Sequence, residues 1–242
     1  MKKISILIPC LNEERGIGAV IDNIPSDFLY ALGYQSEVIV IDNNSTDATV
    51  DNALRRNVRV VHEKKLGKGN AIRTGFDALD KDTNYVVMLD GDNSYKSKEV
   101  PRLIEPLVSD FCDVVVGSRL GGKMRKNSFR FSNRLANWGY TFLVRHFYQA
   151  NITDVLSGYF AWKKEVIDEL KPHLKSDGFA IEMEMITKIV KLGYEIYSVP
   201  ITYDEREGKT KINLLKDGAK ILLTFVKNFF WSARDKKMAI IK

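Results

Sequence analysis

Short apolar runs rich in valine and isoleucine, at residues 4–8, 38–41, 58–61, 85–89 and 114–116, alternate with stretches of helical periodicity. Nothing else in the chain limits its fold as much. Continuous β-branched runs, without the polar–apolar alternation of a half-exposed strand, are the pattern of parallel strands covered on both faces. Helical patterns near 15–23, 47–55, 68–79 and 98–108 fill the intervals, with Ser45 or Thr46 placed to cap the second. The alternation predicts an α/β fold, a doubly wound sheet with ligands outside the carboxyl ends of its strands. With 242 residues and 45% hydrophobic composition, the chain can bury one large core.

Three polar clusters fall at such strand ends: Asn12-Glu13-Glu14, residues 42–47 beginning at Asp42, and Asp90-Gly91-Asp92. The last constrains chemistry most. An apolar strand, YVVML, runs into two carboxylates one residue apart. Like charges this close repel and raise each other's pKa, so a positive charge belongs beside them. A hard divalent ion takes carboxylate oxygens and is commonly shared with phosphates, which makes Asp90 and Asp92 candidate ligands for Mg2+ or Mn2+. Gly91 would let a ligand approach the backbone. Asp42 ends a strand where an acid can accept from a ribose or base, or close an Asx turn, and Glu13 is equally two-sided. Lys68, between glycines in LGKGNAIRTG, opens a helix whose first amides suit an anion. That stretch is neither a P-loop nor a GxGxxG. Residues 206–211, REGKTK, set basic side chains around a glycine, as a cover for a pyrophosphate or as a solvated loop.

The second half reads differently. Between residues 119 and 153 there is no acid, while Arg119, Lys123, Arg125, Lys126, Arg130, Arg134 and Arg145 all fall there. Such a patch suits phosphates, nucleic acid or an anionic membrane. A nucleic-acid-binding module would leave the three acidic strand ends unexplained, so no nucleic-acid partner is expected. Residues 129–148 form one helical pattern rich in aromatic and basic side chains. A turn at 154–158, a short strand at 159–162, a helix at 181–192 and a strand at 195–199 follow. The tail from 213 to 231 is helical: Leu215, Ala219, Leu222, Val226, Phe229 and Phe230 share a face, with Lys216, Lys220 and Lys227 beside it. This is the pattern of a helix lying on a membrane. Ile221 and Phe225 fall on the far side, as they would if the helix packed on the core.

Cys10 and Cys112 lie in apolar runs and read as reduced core residues of a cytosolic protein. His62, His146 and His173 are scattered, without zinc-ligand spacing. No stretch reaches the ~18 apolar residues of a membrane span. The initial lysines precede an apolar run too short for a signal peptide.

Taken in order, SILIPCLNEE, VIVIDNNSTDAT, LGKGNAIRTGF, VMLDGDNS, VVGSR, DVLSGYFAWKKEVI, FAIEMEM and VPITYDEREGKTK resemble the family-2 glycosyltransferases of GT-A fold. Within them the chain looks most like the polyprenyl-phosphate sugar synthases, the dolichyl-phosphate mannose and glucose synthases. The resemblance spans residues 3–212. It implies a Rossmann-like, mostly parallel sheet flanked by helices over residues 1–211, then an amphipathic interface helix and basic tail over 212–242. It implies inverting transfer of a sugar from a nucleotide-diphosphate sugar to polyprenyl or dolichyl phosphate. On that reading Pro9, Leu11, Glu13 and Asp42 line the nucleoside pocket, and Asp90 and Asp92 hold the diphosphate through Mg2+ or Mn2+. Lys68, Gly91, Arg119, Arg206 and Lys211 complete the donor site. Asp92, Arg119, Arg206 and Asp154 form the catalytic set, with Asp154 the first candidate for a weak base. Ser118, Arg130, Arg134, Ser157 and Glu182 stand on the acceptor side.

A lipid phosphate is already anionic near neutral pH and needs no strong general base, which agrees with motifs that contain no histidine. The form LGKGNAIRTG is closer to the glucose-transferring branch, favouring UDP-glucose or UDP-N-acetylglucosamine over GDP-mannose. The chain departs from the family in three ways: Asp42-Asn43 replaces a pair of aspartates, Asp-Gly-Asp replaces Asp-Ala-Asp, and the added membrane spans of some relatives are missing. The last points to peripheral residence on the cytoplasmic face of a membrane. The alternative is a transferase acting on a glycan or protein hydroxyl, which would need a true base and no membrane face. A nucleotidyltransferase would instead release pyrophosphate. A homo-oligomer stays open.

Overall fold

The structure is a computed structural model that describes residues 1–125, 128–208 and 213–233, Leu214 by its backbone alone. Seven strands among the described residues form one sheet: β1 (Lys2–Cys10), β2 (Tyr34–Asp42), β3 (Arg59–His62), β4 (Thr83–Met88), β5 (Val114–Met124), β6 (Phe160–Lys163) and β7 (Ile196–Tyr203). Their spatial order is β3-β2-β1-β4-β6-β5-β7. β6 runs antiparallel to β4 and β5, and every other pairing is parallel. The mostly parallel α/β sheet expected from the sequence is therefore present.

Nine α-helices flank it among the described residues: α1 (Ile17–Asp22), α2 (Ser26–Ala31), α3 (Thr49–Leu54), α4 (Lys68–Asp77), α5 (Val100–Val108), α6 (Phe131–Tyr148), α7 (Lys164–Leu170), α8 (Ile181–Leu192) and α9 (Leu214–Phe229). Alternation along β1 feeds two cores. Ile4, Ile6 and Ile8 join Val20, Leu103 and Leu107 on one face, while Leu7 joins Phe76, Trp162 and Ile186 on the other. The register places Cys10 beside Asp42 and Asp42 beside His62. The Leu89 N–H donates to the Leu7 carbonyl at 3.2 Å, so Asp90 leaves the sheet at that same edge.

Several boundaries differ from the sequence reading. α3, the second helix of the sequence pattern, starts at Thr49, and it is the Asp47 carboxylate that accepts the Thr49 N–H, at 3.0 Å. Ser45 and Thr46 instead knit the loop to Asn12: Ser45 Oγ accepts the Asn12 N–H at 2.9 Å, and Asn12 Oδ1 accepts the Thr46 N–H at 2.8 Å. The strand expected to stop at 116 continues to Met124, because Lys123 and Met124 pair again with Thr202 and Tyr203 of β7. α2 and α7, six and seven residues long, are too short for periodicity to reveal.

α6 and α9 both leave large apolar side chains outside. α6 buries Asn137, Thr141, Val144 and Tyr148 and leaves Phe131, Leu135, Trp138, Phe142 and Phe147 half or more exposed. α9 packs inward through Ile221, Phe225 and Asn228, a side adjoining its apolar stripe, and Leu215, Leu222, Leu223, Val226 and Phe229 stay exposed. The tail packs on the core, as one of its two sequence readings had it, and also keeps apolar side chains outside. Tyr140 and Tyr148 tie the helices together, donating to the carbonyls of Gly218 at 3.0 Å and Phe225 at 2.6 Å. No described helix is long and apolar enough to cross a membrane.

Candidate active site

A cavity of about 780 Å³ opens at the strand ends and runs to α6 and α9. Pro9, Leu11, Glu13, Lys68, Asp90, Gly91, Asp92, Arg119, Arg130, Glu182 and Arg206 all reach it. Lys211 lies outside the described residues. Arg134 is exposed on α6 and does not line the cavity.

The two carboxylates that open the site are each balanced by a cation. Asp92 is almost fully buried; its Oδ1 accepts the Ser94 N–H at 3.0 Å, and its Oδ2 lies 2.6 Å from Arg206 Nη2. Asp90 Oδ1 lies 2.8 Å from Lys68 Nζ, and the same ammonium reaches Glu182 Oε1 at 2.7 Å. Burial works against the Lys68 charge, but Asp90 and Glu182 outweigh it and hold the lysine protonated well above its usual range. Burial pushes the Glu182 carboxyl up, and Lys68 pulls it only part of the way back. Burial also opposes the Arg206 charge, which Asp92 and Glu13 more than restore.

Gly91 meets a neighbour inside the protein rather than a ligand: a Cβ there would lie 2.5 Å from Cys10 Sγ. The helix that Lys68 opens does not offer its first amides to an anion. The Gly69 and Asn70 N–H groups donate to the Asp177 carbonyl at 2.9 and 3.2 Å, and a Cβ on Gly69 would sit 2.0 Å from the Ser176 oxygen. The motif's glycines thus admit the 176–177 loop, and Lys68 alone faces the cavity. Asn43 explains the missing second aspartate. Its Nδ2 donates to the Glu63 and Lys65 carbonyls at 3.1 and 2.8 Å, and its Oδ1 accepts the Gly67 N–H at 2.7 Å. A carboxylate could make only the last of these. Asp42 is turned to the Ser45 amide (3.1 Å) and His62 Nδ1 (3.2 Å) and does not line the cavity, which is the Asx-turn reading of that residue.

On the far wall Arg119 is clamped. Its backbone N–H and Nε donate to Asp154 Oδ2, and Nη2 donates to Asp154 Oδ1, each at 2.8 Å. The guanidinium carbon lies 4.6 Å from the Phe129 ring centre and 5.3 Å from that of Tyr203. Burial opposes this charge too, and Asp154 overrides it. Nη1 hydrogen-bonds to none of the described residues. Asp154 itself is fully buried, with both oxygens engaged, and does not line the cavity. The reading of Asp154 as a base gives way to that of the anchor of Arg119. Ser118 and Ser157 are likewise internal: Ser118 Oγ accepts the Gly121 N–H and the Thr153 hydroxyl, and Ser157 Oγ donates to the Gly117 carbonyl. Neither reaches the cavity, so both leave the acceptor set.

The sequence reading missed Asn137, Tyr140, Phe129, Asn133, Tyr95 and Tyr203, which also line the cavity. Of these, Asn137 had a signal: with Thr141 it is one of two small polar members of the 137-141-144-148 stripe that α6 buries.

Residues 5–171 match the model of Glycosyl transferase family 2. The chain belongs to that family. It is a glycosyltransferase, and its sheet and flanking helices are those of the GT-A fold. It is 34% identical over 227 residues to the glycosyltransferase AglJ of Haloferax volcanii, an alignment covering 91% of this chain and 70% of that one. It is 30% identical to the undecaprenyl-phosphate mannosyltransferase of Micrococcus luteus, covering 87% and 88%, and 28% identical to a dolichyl-phosphate hexose transferase of Haloferax volcanii, covering 93% and 92%. Among solved structures it is similar in fold to glucosyl-3-phosphoglycerate synthase from Mycobacterium tuberculosis in complex with Mn2+, uridine-diphosphate and glucosyl-3-phosphoglycerate, with TM-score 0.71 and 24% identity over 94% of this chain and 80% of that one.

Among the described residues no group of three or more His, Cys, Asp and Glu side chains could hold a metal ion. Asp90 and Asp92 are fewer carboxylates than such a group needs, and an ion between them would draw its other ligands from elsewhere. That donor set fits an ion completed by phosphate oxygens and water, as Mg2+ commonly is.

Proposed function

We propose that the chain transfers a hexose, with inversion, from a nucleotide-diphosphate sugar to a polyprenyl or dolichyl phosphate at a membrane surface. One observation carries this reading. A single cavity joins the carboxylates and cations at the strand ends to Arg119, Arg130 and a helix pair whose outer face is apolar. The names of the relatives point the same way. Of the donors, LGKGNAIRTG favours UDP-glucose or UDP-N-acetylglucosamine over GDP-mannose.

Asp90 and Asp92 would hold a Mg2+ or Mn2+ ion, which would supply positive charge for a diphosphate leaving group. Lys68 and Arg206, released from those carboxylates, are within reach of the same phosphates. Such prearranged charge is usually the largest catalytic term. An oxygen of the lipid phosphate attacks C1 of the sugar, the bond from C1 to the diphosphate oxygen breaks, and the nucleoside diphosphate leaves with the electron pair. No proton moves in that step, consistent with an Asp154 that is shut away. Arg119 presents its open Nη1 edge, and Arg130 lies at the cavity rim, as countercharges for the acceptor phosphate. The outer faces of α6 and α9 seat the protein peripherally on the bilayer that holds the acceptor.

The test is transfer of label from radioactive UDP-glucose, UDP-N-acetylglucosamine and GDP-mannose into organic-extractable product, with polyprenyl phosphate and Mg2+ or Mn2+. Lipid label from one donor, lost on Asp92→Ala, is the expected result. Hydrolysis of a donor with no lipid label from any would sink the lipid-phosphate acceptor and leave a glycan hydroxyl in its place.

A further inference from the structure

Asn137 belongs to no motif, yet its side chain is spent at both ends. Nδ2 donates to Asp154 Oδ1 at 2.6 Å, and Oδ1 accepts the Leu156 N–H at 3.1 Å. One helical turn further, Thr141 Oγ1 accepts the Val155 N–H at 3.1 Å. α6 therefore grips the 154–156 loop with two polar side chains. That same loop holds Arg119, through Asp154 and through the Leu156 carbonyl, 2.6 Å from Nη2.

We propose that Asn137 is a positioning residue: it fixes Asp154 and, through it, the Arg119 guanidinium in the cavity, so that the seating of α6 sets where Arg119 meets the acceptor. This rests on the transfer reading above. Asp154 is fully buried, so each of its oxygens needs its donors from the protein. Without Asn137, Oδ1 keeps only Arg119 Nη2, and the loop amide of Leu156 loses its acceptor. The outer face of α6 carries exposed aromatic rings, with Phe131 78% and Trp138 61% exposed, so nothing in the described chain presses the helix inward from outside. Its register depends on the inner stripe that Asn137 belongs to. Whatever covers the aromatic face then acts on Arg119 through this stripe, in which Asn137 alone touches Asp154.

The experiment is a double-mutant cycle. Asn137→Leu and Asn137→Ser, each alone and with Arg119→Lys, are assayed with the donor that labels lipid in the unsubstituted protein. Asn137→Leu is expected to lower kcat on the order of 10²-fold, the cost typical of a reacting group displaced by about an ångström. KM for the nucleotide sugar is expected to stay within about twofold, since the strand-end half is untouched. The double variant should be no slower than Arg119→Lys alone. Asn137→Ser, whose shorter hydroxyl can donate to Asp154 through a bridging water, should recover part of the loss. Losses that multiply in the double variant, or a serine variant no faster than leucine, would overturn the proposal. Titration with nucleotide identifies a leucine variant that has failed to fold, in which case the cycle is read on serine. If the unsubstituted protein labels no lipid from any donor, the transfer reading fails, and the same cycle is read on metal-dependent hydrolysis of the nucleotide sugar.

Discussion

The two ends of the cavity are built on opposite plans. At the strand ends, charge is paired with charge: Asp90 with Lys68, Asp92 with Arg206, on loops fixed by a parallel sheet. At the α6 wall, an arginine is held by a buried acid, and the helix above it buries Asn137 and Thr141 and turns several aromatic rings outward. The first plan suits a ligand that brings its own charges and replaces those already there. The second suits a ligand whose head must be gripped in the protein while its body stays outside. A common scaffold therefore carries a rigid electrostatic half and a half whose geometry depends on one helix.

The largest test of this contrast is Asp92→Ala. It removes the partner of Arg206 and one of the two carboxylates, and turnover should fall on the order of 10²–10³-fold. Calorimetric titration should lose metal-dependent nucleotide binding as well; intact binding with intact metal dependence would place the ion elsewhere. Next comes Lys68→Met, which leaves Asp90 and Glu182 facing each other without a cation. Breaking a buried pair of this kind costs about 3 kcal/mol. It also changes the pH response in a defined direction. Glu182 already titrates above its ordinary value of 4.5, and without Lys68 it rises further. An acid raised in the folded state adds stability at low pH and loses it as pH climbs through the folded pKa. The thermal midpoint of Lys68→Met should thus drop as pH rises above the ordinary glutamate value of 4.5, more steeply than that of the unsubstituted chain. Equal slopes would mean that Lys68 does not govern Glu182.

The smallest effect belongs to the other half. Trp138→Ser with Phe142→Ser removes two stacked, solvent-facing rings, 6.2 Å apart. Partition onto anionic vesicles should weaken about tenfold or more, since each buried aromatic is worth roughly 1.5–3 kcal/mol. Turnover on a short, water-soluble prenyl phosphate should stay the same, because neither ring holds the 154–156 loop. A loss on both acceptors would merge the two halves into one.

The strand-end half was the readable one. Its runs of β-branched residues and the acids that end them announce both the sheet and the edge where ligands gather. What could not be read there was pairing across long separations, such as Asp92 with Arg206. Asn43 looked like a departure from a family pattern, and only the three hydrogen bonds of its amide show that an aspartate could not stand there. The α6 half misled for a physical reason. A sequence reports that Asp154, Ser118 and Ser157 are polar and lie near a turn, but burial is decided by what folds over them. On α9, Ile221 and Phe225 were the residues that spoiled the expected pattern, and they turn out to be its anchors. On α6, the helix and its aromatic and basic content were legible, but which face points inward was not.

The bridged carboxylates of the strand-end half have one more consequence. A site that already holds Lys68 and Arg206 against its acids works as an ion exchanger. A metal–nucleotide complex entering it would swap one set of counter-ions for another, with little change in the net charge of the cleft. The heat and the salt dependence of binding are then small residues of large opposing terms. Discrimination between donors falls to shape and to the placement of individual oxygens rather than to attraction at a distance.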